Sequence, residues 1–112
     1  MASDFRTRSL AANVYVGVYL ARLEMPWVSS LKEKRALIKP VTEKLKVRFP
    51  VSVARLGGLD AHDWELVGAT AISSDPVWLE GMLGKVGDFV AAHGAYRVTE
   101  SSVELELWSG DD

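Results

Sequence analysis

The chain has 112 residues with 13 Lys+Arg and 15 Asp+Glu, a net charge of −2, and an apolar share of 48% that supports the core of one small domain. That share, with four Pro, excludes a disordered or collagen-like chain, and the absence of Cys excludes disulfide scaffolds, thiolate zinc sites and cysteine nucleophiles. The near-neutral total hides a division: residues 1–56 carry eleven basic and four acidic side chains, net +7, whereas residues 57–112 carry two basic and eleven acidic, net −9.

The longest apolar run, residues 14–21, is far too short to span a membrane, and the first dozen residues lack a signal-peptide core. These features predict a flexible N-terminal tail over 1–12, one domain over 13–108, an acidic tail over 109–112 and a cytoplasmic protein with no membrane contact.

Residues 13–24 alternate: Val14, Val16, Val18 and Leu20 point one way, Tyr15, Gly17, Tyr19, Ala21 and Leu23 the other. Both sets begin apolar, as in a central strand, and Pro26 ends it. Ser30 and Glu33 have capping-box spacing, and Leu31, Leu37, Ile38, Val41, Leu45 and Phe49 share one face of a helix over 31–49. Pro40 predicts a kink or local break in that helix, and Pro50 stops it. A short strand over 51–56, the Gly57-Gly58 turn and a polar loop to Asp63 follow. A third strand covers 64–72, and Ser73-Ser74-Asp75-Pro76 starts a second helix over 76–93. Trp78, Leu79, Met82, Leu83, Val86, Phe89 and Val90 form its apolar arc. Gly81, Gly84 and Gly87 recur on what reads as its outer face, and Gly94 as its C′ residue. A last strand over 97–108 alternates Val103, Leu105 and Leu107 with Glu104 and Glu106.

The order βαββαβ predicts an α+β, ferredoxin-like fold, with two helices on one face of a four-stranded antiparallel sheet. The first and third strands should be central and one sheet face open, a usual place for an RNA, a second subunit or a ligand.

The first helix carries the strongest surface signal. Lys32, Arg35, Lys39 and Lys46 form a basic stripe beside its buried face, suited to neutralising phosphates. The alternative is a solvated face paired with Glu33, Glu43 and the acidic last strand. Tyr15 and Tyr19 are candidate interface residues, packing between subunits rather than stacking bases, since the third strand lacks the paired aromatics of RNA-binding sheets. The Asp60, His62 and Asp63 loop has acid–base capacity but too few ligands for a metal, and His93 is placed to bond a helix-terminal carbonyl. No phosphate-binding Gly-rich loop or nucleophile elbow is present. Val16-Gly17-Val18-Tyr19 with Arg22 resembles acylphosphatase only faintly, because Asn13 cannot be matched to the water-orienting Asn of that family. The expectation is a non-enzymatic protein with no catalytic residues, cofactor or metal.

Three runs carry a family resemblance: Val16-Gly17-Val18, the block Ser30-Leu31-Lys32-Glu33-Lys34-Arg35, and Phe49-Pro50-Val51-Ser52-Val53-Ala54. With Val67-Gly68-Ala69-Thr70-Ala71-Ile72-Ser73-Ser74-Asp75, they resemble the YlxP-like family of small bacterial proteins over about residues 14–107. The resemblance implies a ferredoxin-like domain of unknown function. Genes of the family often neighbour those of ribosome-maturation factors, which implies work on or near ribosomal RNA. The chain departs from the family after the Gly turn, where Asp60-Ala61-His62 replaces an Asp-x-Trp element and Trp64 comes two residues late. Two readings follow: an accessory protein bound to ribosomal RNA or a ribosomal particle through the basic helix, or a homodimeric interaction protein.

Overall fold

The computed structural model describes residues 12–109. The tails expected at 1–12 and 109–112 lie outside those residues, except for Ala12 and Ser109; Ser109 is buried and ends the last strand. The alternating first segment forms β1 (Val14–Glu24), and the capped basic segment forms α1 (Leu31–Arg48). Strands β2 (Ser52–Gly57) and β3 (Trp64–Ser73) follow, then α2 (Pro76–Ala92) and β4 (Arg97–Ser109). The sheet order is β2-β3-β1-β4 with every pair antiparallel, so β1 and β3 are central and the fold is the expected ferredoxin-like α+β plan.

Ser30 caps α1, accepting from Glu33 N at 3.1 Å, while the Glu33 carboxylate reaches back to the backbone and hydroxyl of Ser29. The capping box therefore closes one residue earlier than its usual partner. The helix runs unbroken through Pro40, so the expected break does not occur. Pro40 brings no N–H for the Ala36 carbonyl, and packing of Ile38, Val41 and Leu45 into the core holds the turn together. Asp75 caps α2 through Val77 N and Trp78 N, with Pro76 in the first turn.

The core lies between the helices and one sheet face. Gly17, Tyr19, Ala21 and Leu23 of β1 point into it. At Gly17 a Cβ would sit 2.5 Å from Leu83 Cδ1, so the missing side chain lets α2 cross close to the sheet. From α2, Leu79, Met82, Leu83, Val86, Phe89 and Val90 are buried, but Trp78, at the edge of the expected arc, is half exposed. Gly87 also departs from the outer-face reading, since it packs against the Tyr19 ring.

Two side chains bond carbonyls at the end of α2: His93 Nδ1 contacts Phe89 O at 2.9 Å, as its position predicted, and Tyr96 Oη donates to Val90 O at 2.7 Å. Gly94 is not in the left-handed conformation expected of a C′ glycine; among the described glycines Gly58 alone has positive φ, +70°. Gly94 is small for a different reason: the Tyr96 ring lies where its Cβ would be.

Candidate anion-binding groove and the open sheet face

Helix α1 lies against β2, and between them runs a groove of about 490 Å³. Arg35, Lys39 and Lys46 line it from the helix side, with Thr42 and Glu43; Val53, Ala54 and Arg55 line it from β2. Three of the four residues of the basic stripe thus meet in one concavity. Lys32 is exposed near the start of the helix, outside the groove lining. Lys46 pairs with Glu43 at 3.1 Å, but both side chains are half exposed, so the pair contributes little. Arg35 and Lys39 make no ion pair with a described residue. The acidic last strand does not neutralise the stripe, because β4 occupies the opposite edge of the sheet from β2.

Sequence reasoning missed the charged group beneath the groove. Lys34 and Glu65 are both 0% exposed and pair at 3.0 Å. Lys34 Nζ also donates to the Gly58 and Trp64 carbonyls at 2.8 and 3.2 Å, which ties α1 to the turn before β3. Glu65 accepts from Arg55 Nε and Nη2 at 2.5 and 2.7 Å. Burial alone would raise the Glu65 pKa, but the hydrogen bonds from Arg55 and Lys34 outweigh it and hold the carboxyl below its ordinary value. The same bond to Glu65 raises the Arg55 pKa, so its guanidinium is permanently charged. The signal was available in register: Lys34 stands four residues before Ile38 on the buried face, and Glu65 alternates with the inward Val67 and Ala69.

The open sheet face carries Val16, Val18, Leu20 and Arg22 of β1, opposite Ile72, Thr70, Gly68 and Leu66 of β3 and Glu106, Glu104, Ser102 and Glu100 of β4. Ile72 is 69% exposed there. Arg22 lies 4.0 Å over the Trp64 ring and bonds Glu24 at 2.9 Å. Tyr15 and Tyr19 do not lie on this face. They have the opposite parity along β1, Tyr19 is buried to 2% exposure beneath the helices, and Tyr15 packs against the same core. Tyr19 therefore belongs to the core rather than to an exposed surface, and Tyr15 is only partly buried: a hydrophobic side chain of either parity suited β1, and α2 claimed the tyrosine side. The Tyr19 hydroxyl is left without a partner among the described residues.

In the polar loop, His62 Nδ1 contacts Val28 O at 2.8 Å and Met25 N donates to Asp63 O at 2.8 Å, so the loop fastens the β1–α1 connection. Among the described residues, no three His, Asp or Glu side chains group as metal ligands. No helix among them is long and apolar enough to cross a membrane.

Fold and surface together define a small ferredoxin-like α+β protein with a cationic groove between α1 and β2. The chain belongs to the family described as "Protein of unknown function (DUF503)", which matches residues 16–103. It is also 36% identical over 61 residues to "Uncharacterized protein YlxP" of Bacillus subtilis (strain 168). That alignment takes in 54% of this chain and 66% of the relative, just under two thirds of the relative's length. The resemblance read from the Ser-Leu-Lys-Glu-Lys-Arg block is thereby borne out.

Proposed function

We propose that the protein is a non-enzymatic accessory protein that binds the phosphate backbone of RNA, as naked ribosomal RNA or within a ribosomal particle, in the groove between α1 and β2. The observation that carries this reading is the convergence of Arg35, Lys39 and Lys46 from one helix with Arg55 from the facing strand, against Glu43 in the groove lining and the buried Glu65 behind Arg55. Four cations on two walls give a local field that a chain of net charge −2 lacks as a whole. The double reversal Lys39→Glu/Lys46→Glu removes two phosphate contacts and adds repulsion. Measured by anisotropy across a salt series, it should weaken RNA binding and lower the log–log salt slope by about two. Binding with unchanged affinity and slope would overturn the reading, and co-sedimentation with ribosomal particles separates particle from free RNA.

A homodimer through the open sheet face is the second reading, supported by exposed Val18, Leu56 and Ile72. A monomer mass by light scattering at both low and moderate salt counts against it.

A further inference from the structure

The groove's β2 wall differs from its helix wall in how its cation is held. Arg35 and Lys39 stand on exposed stems that must be ordered when they meet a ligand. Arg55 is already fixed: Nε and Nη2 are on Glu65, and the side chain is 33% exposed along the groove. Its Nη1 donates to no described residue. Glu65 has no freedom to swing away, because it is fully buried and also accepts from Lys34. The cluster holds two cations, Lys34 and Arg55, around one carboxylate, a net +1. Of the two cations, Arg55 alone reaches the groove, so the excess charge is expressed there. An anion bound on that side completes the charge balance of a partly desolvated group, where Coulomb attraction exceeds its value in bulk water.

We infer that Arg55 is the fixed anion contact of this groove, presenting Nη1 to an RNA phosphodiester while Nε and Nη2 remain on Glu65. The inference rests on the reading of the groove as an RNA site and names the contact that sets the strand's position. Lys39, Arg35 and Lys46 then neutralise neighbouring phosphates without fixing geometry. A charge-assisted bond from an immobilised guanidinium loses little freedom on forming, and lysine has no planar fork to hold on Glu65 and on phosphate together.

The test is a titration of the isotopically labelled full chain with a short polyuridine oligomer, following the Arg55 Nε–H signal and the backbone amides of Arg35, Lys39 and Lys46. The Arg55 signal should move in step with those amides, and Arg55→Lys should weaken binding by about tenfold. If the α1 amides move and the Arg55 signal does not, the inference is overturned while the groove stands as the RNA site. If neither moves, the RNA reading falls and this inference with it. Should Arg55→Lys fail to fold, the titration of the unmutated chain decides alone.

Discussion

Lys34 and Glu65 are a costly pair of side chains to enclose in a domain of this size, since each loses its hydration completely. Their mutual contact, the Arg55 fork and two backbone carbonyls offset that loss only while all the partners are present. Removing the carboxylate charge with Glu65→Gln leaves Lys34 buried without its counter-ion, and should cost about 3–5 kcal/mol in urea unfolding at neutral pH. The pH dependence follows from the depressed pKa of Glu65. Its unfolded value is the ordinary 4.5 and its folded value is lower, so the unfolded chain binds the proton more tightly. The stabilisation is therefore fully present above pH 4.5 and is lost as pH falls from there through the folded pKa. The parent should lose stability across that acid window with a slope that Glu65→Gln lacks; parallel profiles would contradict it. This cluster was not legible from residue type, which marks Lys and Glu as surface. It was legible only from parity, and parity is informative once a helix is known to cover one side.

At the scale of elements, the two helices show which sequence signals are strong. Alternation, the Ser30 and Asp75 caps and the Pro50 stop placed every strand and helix to within a residue or two, because each rests on a local backbone requirement. Three features depended on tertiary packing and were not readable: the side of β1 that carries Tyr19, the partial exposure of Trp78, and the role of Gly94. The glycines of α2 and β1 show the same division. A Cβ at Gly81 or Gly84 would meet nothing within 4 Å, whereas one at Gly17 would clash with Leu83. Gly81→Ala/Gly84→Ala should therefore stabilise the fold by about 1 kcal/mol per site through helix propensity. Gly17→Ala should destabilise it by about 1–3 kcal/mol through overpacking. Urea midpoints of the two variants moving in the same direction would contradict this placement of α2 over β1. Nothing in the structure explains why Gly81 and Gly84 are glycine.

For the whole molecule, part of the division of charge between the two halves of the sequence maps onto the two edges of the sheet: the α1 cations at one, three of the eleven acidic residues of the second half at the other. The basic groove sits at the β2 edge, and Glu100, Glu104 and Glu106 line the β4 edge, three strand spacings or about 14 Å away. A polyanion approaching this chain therefore meets attraction on one side and repulsion on the other, which orients it before contact. The repelling edge lies beyond a Debye length at physiological ionic strength, about 8 Å, but well within the length of about 30 Å at 0.01 M. Glu104→Gln/Glu106→Gln removes two charges from β4 without touching the groove. It should speed RNA association about two- to threefold in stopped flow at ionic strength near 0.01 M, leave it unchanged near 0.15 M, and barely alter dissociation at either. A gain of equal size at both salts would mean that the RNA touches β4 itself, and would move the contact surface from the groove to the open face of the sheet.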